Sequence, residues 1–286
     1  MSSILDEIYA AKRLEVRARR QIVSPVAIVA EAGRAPKPRD FIGALRSPRD
    51  FNSELRTPRD FNSELRSRRP AIIAEIKRAS PSKGDIMPGL DPATVAREYV
   101  EAGAAAISVL TDRHFKGSLD DLRAVRAAVE VPILRKDFIF EPYQVYEARA
   151  AGADCILLII AMLKEGELRS LCALARELGM ATLVEAHNEH EFGVAEKIGT
   201  GLIGINNRDL HTFVTEIAVT ERLLDGYRGD AAIVAESGID TVADIRRLDK
   251  AGARAFLIGE SLLRGGTPRE KLGELMKAFE GEGAHK

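Results

Sequence analysis

The chain has 286 residues, 45% hydrophobic and 30% charged, with 42 Lys and Arg against 43 Asp and Glu. That length accommodates one large domain with a modest extension, or two ordinary ones. Two cysteines, Cys155 and Cys172, with no histidines at ligand spacing, exclude a disulfide framework and give no sign of a metal site.

Charge begins at Asp6 with no apolar stretch before it, so no secretory leader is expected. The longest apolar run, CILLIIAML at 155–163, is far short of a membrane span. A soluble, cytoplasmic protein with no membrane partner is expected, with both thiols buried and inert. Residues 1–69 hold 15 basic and 9 acidic side chains, a net of +6, leaving the remainder at −7. A basic arm on an acidic body is one pattern of nucleic-acid binding. The stretch 10–21 intersperses Glu15 among its cations and offers no aromatic ring to stack bases after Tyr9. It reads instead as a solvated helical surface, and no nucleic-acid partner is expected.

In chain order, ILDEIYAAKRLEVRARRQI (4–22) has helical periodicity, and Pro25, Pro36 and Pro38 interrupt the stretch after it. A direct repeat comes next: KPRDFIGALR (37–46), SPRDFNSELR (47–56) and TPRDFNSELR (57–66). Each copy is compatible with a short helix, Ser47 or Thr57 serving as N-cap with proline at the next position. Three ten-residue units bury too little surface to make a solenoid. The duplication reads as a lengthened surface segment, which costs little loop entropy.

From residue 71 the pattern changes. Short runs rich in Ile, Val and Leu alternate with longer amphipathic segments. The predicted strands are 71–77, 106–110, 131–138, 155–160, 181–186, 202–207, 232–237 and 255–260. Their near-continuous apolar character is that of parallel strands covered on both faces. The predicted helices are 91–103, 118–129, 141–152, 164–179, 189–199, 215–227, 241–252 and 268–281. The fragment AGA recurs at 102–104, 151–153 and 251–253, always just before a strand, where glycine supplies a left-handed helix end. Eight such units predict an α/β fold, a (β/α)8 TIM barrel over 71–286, with an N-terminal helical extension over 1–70 that contains the PRDF repeat (37–66).

In such a barrel the C-terminal strand ends face the substrate, and alternate residues point inward. The first strand ends Glu75-Ile76-Lys77 and the third carries Lys136 and Phe138. The fifth ends on Glu185, the sixth on Asn206 with Arg208 beyond it, and the seventh on Glu236. Buried charges need partners, so this convergence on one mouth marks a site. The uncharged end of the fourth strand, with Phe138, predicts an apolar wall for a flat group. The loops ESGI (236–239) and IGESLLRGG (258–266) place Ser237, Gly238, Gly259 and Glu260 where barrels commonly cradle phosphate.

The segments IAEIKRASPSKG (73–84), ILRKDFI (133–139), LVEAH (183–187), GINNRDL (204–210), AESGI (235–239) and LIGESLL (257–263) resemble the strand signatures of indole-3-glycerol phosphate synthases. The resemblance runs from about residue 71 to 281, in order, and takes in the N-terminal helix and one PRDF segment. It implies a carboxy-lyase of tryptophan biosynthesis: ring closure of 1-(2-carboxyphenylamino)-1-deoxyribulose 5-phosphate, with release of carbon dioxide and water. By that resemblance Lys136 is the general acid, Glu185 its partner and stabiliser of cationic charge, and Lys77 the carboxylate anchor with Arg208. Lys77 would also act as an acid, and Glu75 as a base, in the final dehydration. Asn206 and Glu236 would orient hydroxyls, and Ser80, Ser237, Gly238, Gly259 and the amide of Glu260 would hold the phosphate. No cofactor or metal is implied, and a monomer is expected. Two departures stand out: a carboxylate at position 260 beside the phosphate, and the extra repeat at 47–66.

Two other functions compete. A Schiff-base aldolase barrel would use Lys136 or Lys77 as nucleophile. A non-catalytic barrel would serve as scaffold for a basic binding arm.

Overall fold

The computed structural model describes residues 4–46, 71–80, 84–87, 89–209 and 212–279. Eight parallel strands close into a barrel: β1 (Ala71–Ile76), β2 (Ala106–Leu110), β3 (Ile133–Lys136), β4 (Cys155–Ile159), β5 (Ala181–Ala186), β6 (Leu202–Asn206), β7 (Ala232–Glu236) and β8 (Ala255–Ile258). Each pairs with its sequence neighbours, and β8 closes on β1 with Ala71 opposite Ala255. The expected (β/α)8 barrel is therefore the fold, and each predicted strand is present, trimmed by up to two residues at an end.

Helices α4 (Pro92–Glu101), α5 (Leu119–Ala128), α6 (Pro142–Ala151), α7 (Glu165–Glu177), α8 (Glu189–Ile198), α9 (Ala218–Leu224), α10 (Val242–Ala251) and α11 (Pro268–Met276) form the outer ring. Their starts obey local chemistry. Asp91 accepts the Thr94 amide ahead of α4, and Ser118 and Asp121 form a capping box on α5. Gly152 and Gly252 end α6 and α10 at φ 93° and 118°, which explains the recurring AGA. Helix α9 is shorter than the predicted 215–227. Thr215 is taken up by a bridge to Arg208, and the Glu216 amide donates to the Asn207 carbonyl, so those residues extend the β6 loop.

Two apolar layers result. One lies between strands and helices; the other fills the barrel with Ile73, Leu134, Leu157, Leu183, Val234 and Leu257. The extension contributes α1 (Ile4–Ile22), α2 (Pro25–Arg34) and α3 (Phe41–Arg46). Helix α3 sends Phe41 and Leu45 into the inner layer beside Ala71, Leu202 and Ala255, the first residues of their strands, and so closes the barrel floor. In this first copy of the repeat the cap is Asp40, which accepts the Gly43 amide at 2.8 Å. The expectations for Ser47, Thr57 and the second and third copies lie outside the described residues.

Two expectations need correction. The arm over 10–21 is not simply a solvated face. Lys12 is fully buried, and Arg19 and Arg20 reach Glu147 and Glu141 of the barrel at 2.9 and 3.2 Å. Of the thiols, Cys155 is buried inside the barrel but Cys172, on α7, is only half-buried. Burial raises the pKa of both, so both stay as thiols. Among the described residues no helix is long and apolar enough to cross a membrane.

Candidate active site

The C-terminal mouth holds a cavity of about 280 Å³. Strand alternation puts Glu75, Lys136, Glu185, Asn206 and Glu236 on the inner face at the tops of their strands, with Lys77 just beyond β1. Of the thirteen residues singled out from sequence, all but Ser80 line this cavity. The hydroxyl of Ser80 is buried without a hydrogen-bond partner among the described residues.

Lys136 is the hub. Its Nζ lies 3.5 Å from Glu236, 3.8 Å from Glu185 and 3.9 Å from Glu75. Burial alone would drive the ammonium toward neutrality, but Glu236, Glu185 and Glu75 outweigh it and raise its pKa. Lys136 is therefore a cation at neutral pH. Glu75 accepts from Lys77 at 2.8 Å; burial raises its pKa, yet Lys77 and Lys136 hold it below the usual value.

The remaining two carboxyls behave oppositely. Burial pushes both upward, but Lys136 and His187 bring Glu185 down to an ionised carboxylate. Glu236 is left with burial, Glu185 and Glu75 against it, so its pKa rises and it holds a proton. The two form a carboxylate and a carboxylic acid side by side, which divides acid and base roles within one site.

One wall is apolar: Leu157 and Ile159 from β4, Leu110, and Phe138 with Phe115, whose ring centroids lie 6.5 Å apart. The uncharged fourth strand announced that wall. Phe115, Phe213 and Ile8 of α1 also line the cavity and were not anticipated, because they stand on loops and on the extension.

The loops after β7 and β8 form another part of the lining. Ser237 and Gly238 take positive φ of 66° and 72°, turning the backbone sharply after β7. Gly259 precedes a 3-10 turn, Glu260–Leu263, that has no side-chain cap, and Gly259, Glu260 and Ser261 line the cavity. The Glu260 side chain is drawn sideways, to Arg264 at 3.1 Å and toward Arg208 at 3.8 Å. Arg208 also donates to Thr215 Oγ1 at 3.2 Å, and its amide to Asn206 Oδ1 at 3.1 Å.

Sequence reasoning missed a charged layer behind the site. Arg135 and Asp137 alternate with Lys136, so they point outward toward the helices, yet both are buried. Asp137 pairs with Arg135 at 2.9 Å and Lys12 at 2.9 Å, and Lys12 also meets Asp112 at 2.6 Å. Lys12 thus ties α1 to the strand that carries Lys136. Charges on the helix-facing side of a strand were the available signal, because such a layer otherwise admits only apolar residues.

A closed parallel barrel with a cluster of buried carboxyls around a lysine, an apolar wall and glycine-containing loops at its mouth has the architecture of a (β/α)8-barrel enzyme. Solved structures agree on the fold. A thiamine phosphate pyrophosphorylase from Pyrococcus furiosus matches with TM-score 0.56 at 18% identity, over 76% of this chain and 98% of its own. The family model for indole-3-glycerol phosphate synthase matches residues 49–275, and the chain belongs to that family. Indole-3-glycerol phosphate synthases of Polaromonas sp. (46% identical, 96% of this chain, 98% of theirs), Chromobacterium violaceum (44%, 97%, 99%) and Rhodospirillum rubrum (48%, 92%, 95%) are among its relatives.

Proposed function

We propose that the protein is a carboxy-lyase that closes 1-(2-carboxyphenylamino)-1-deoxyribulose 5-phosphate to indole-3-glycerol phosphate in tryptophan biosynthesis, as a cytoplasmic monomer without cofactor. The observation that carries the reading is Lys136 among Glu75, Glu185 and Glu236, facing an apolar wall across a cavity built from one chain.

The aromatic ring lies against Leu157, Ile159 and Phe138, and the phosphate sits on Ser237, Gly238 and the amides of Gly259 and Glu260. Ser80 stands apart from this group, since it does not line the cavity. Lys136 donates its proton to the ketose carbonyl as the ring carbon bearing the carboxylate attacks it. The new carbon–carbon bond leaves positive charge on the ring and nitrogen, which Glu185 stabilises. Loss of carbon dioxide returns the electron pair to the ring. Lys77, having held the substrate carboxylate with Arg208, protonates the departing hydroxyl, and Glu75 takes the proton lost from carbon. Asn206 and the protonated Glu236 orient the hydroxyls.

The same geometry speaks against a Schiff-base aldolase. A nucleophilic lysine needs a lowered pKa, and three carboxyls raise that of Lys136. The scaffold reading loses its basic arm, since Lys12, Arg19 and Arg20 are engaged with the barrel.

The test monitors indole fluorescence while the purified protein receives the carboxyphenylamino ketose phosphate. Turnover is expected, falling about 10³-fold in Lys136→Ala, within the range for removal of a general acid. Wild-type silence, or a substrate adduct trapped by borohydride, would reject the reading.

A further inference from the structure

His187 stands two residues beyond Glu185, on the same side of the chain as β5 leaves the barrel. Its Nε2 lies 3.2 Å from Glu185 Oε1, an ion-pair contact rather than an aligned hydrogen bond. Its Nδ1 lies 2.9 Å from Glu191 Oε2, in the first turn of α8. The ring is only 9% exposed. A histidine with a carboxylate at each nitrogen is suited to carrying both protons, as imidazolium.

Glu191 is itself anchored. It accepts the His187 amide at 2.8 Å and the Asn188 side-chain amide at 2.9 Å, while Asn188 caps α8 by accepting the Glu191 amide at 3.0 Å. The helix start and the ring are therefore one unit, and the Nε2 edge of the ring faces Glu185. We propose that His187, locked by Glu191, is a positioning residue that keeps Glu185 ionised and turned toward Lys136.

The charge balance of the mouth requires such a group. Glu185 faces Lys136 from β3, Asn206 from β6 and Glu236 from β7, and shares Lys136 with Glu75 from β1. Lys77 is taken up by Glu75 at 2.8 Å, so Glu185 and Glu236 compete for Lys136, and burial favours a proton on one of the two. The cation of His187 lies on the Glu185 side, which directs that proton to Glu236. Burial lowers the imidazole pKa, but Glu185 and Glu191 outweigh it and lift it to about 10, so the cation persists across the working range.

This inference rests on the proposed ring closure, in which Glu185 must be anionic. It is tested in two independent arms. In the first, ring nitrogens of the ¹⁵N-histidine-labelled protein are titrated by NMR, with His187→Gln used to assign the signal. His187 is expected to remain imidazolium past pH 9, and Glu191→Gln to lower its pKa by about one unit or more. Titration in the ordinary range near 6.5 would overturn the proposal whether or not the protein turns substrate over.

In the second arm, steady-state kinetics compare His187→Gln, Glu191→Gln and the double variant. Loss of the cation lets the Glu185 pKa rise, so the acid limb of kcat moves to higher pH by about one unit. At neutral pH kcat falls roughly 10-fold with KM held within about 2-fold, the pattern of a lost transition-state interaction. Because Glu191 acts only through His187, adding Glu191→Gln to His187→Gln has no further effect. An unshifted acid limb, or additive losses, would refute the inference while leaving the ring closure standing. Should His187→Gln fold poorly, Glu191→Gln alone carries both readouts.

Discussion

Gly259 and Glu75 touch across the seam where β8 meets β1: a Cβ on the glycine would lie 2.5 Å from Oε1 of the glutamate. The loop after β8 thus leaves no room for a side chain beside the Glu75 carboxylate. Neither moves without the other. Gly259→Ala is expected to fold, because φ there, −132°, lies outside the left-handed region that favours glycine, but to displace Glu75 from Lys77 and Lys136. Misplacing a catalytic group by about 1 Å can cost about 100-fold. A fall in kcat/KM of that order, with an unchanged thermal midpoint, is expected; full activity would show that Glu75 is not used.

Lys12 is the second target. Its ammonium is buried between Asp112 and Asp137, so Lys12→Met takes the cation from Asp112 and leaves Asp137 with Arg135 as its one remaining ion-pair partner among the described residues. Removing one partner from a buried ion cluster typically costs about 3–5 kcal/mol. Urea denaturation should show a loss of that size. A much smaller loss would mean that α1 is held on the barrel by its apolar contacts instead.

Acid stability depends on Asp137 and its opposite, Glu236. Burial raises the Asp137 pKa, but Arg135 and Lys12 bring it well below the ordinary carboxylate value. Its stabilising contribution is complete above that ordinary value, about 4, and is lost as pH falls toward the lower folded value. Glu236 is raised, so it binds its proton more tightly when folded, and stability falls as pH rises above about 4 toward its own pKa. Urea midpoints measured from pH 3 to pH 9 should therefore flatten below about pH 4 in Asp137→Asn and between about pH 4 and about 8 in Glu236→Gln. Unchanged slopes in both variants would refute the ionisation pattern.

Deleting 47–66 removes the two near-identical decapeptides and keeps the copy whose Phe41 and Leu45 close the floor. The shortened protein should fold and retain kcat/KM within about 2-fold, consistent with the small entropy of surface insertions. Failure to fold would assign the extra copies a structural role.

The barrel was readable because its strands are covered on both faces and so are spelled as unbroken apolar runs, punctuated by helix caps and by Gly152 and Gly252. The inner charges were readable for a related reason: a period of two at the end of such a run leaves Lys136 and Glu185 no direction but inward. The features that escaped notice depended on contacts distant in sequence. Lys12 looks like any surface lysine on an arginine-rich helix until Asp112 and Asp137, a hundred residues on, are folded against it. His187 sits within the LVEAH segment, yet its meaning appears only when Glu191 closes behind it. Phe115 and Ile8 reach the cavity from a loop turn and from the extension, where no strand register fixes direction.

The floor has a consequence for how the chain is made. Phe41 and Leu45 rest against Ala71 of the first strand and Ala255 of the last. During synthesis their seat does not exist until more than two hundred further residues have emerged and the barrel has closed. The plug is the earliest part of the barrel's core to leave the ribosome and among the last to be buried. A nascent chain thus carries two exposed apolar side chains through most of its elongation, an interval in which aggregation or chaperone capture competes with folding.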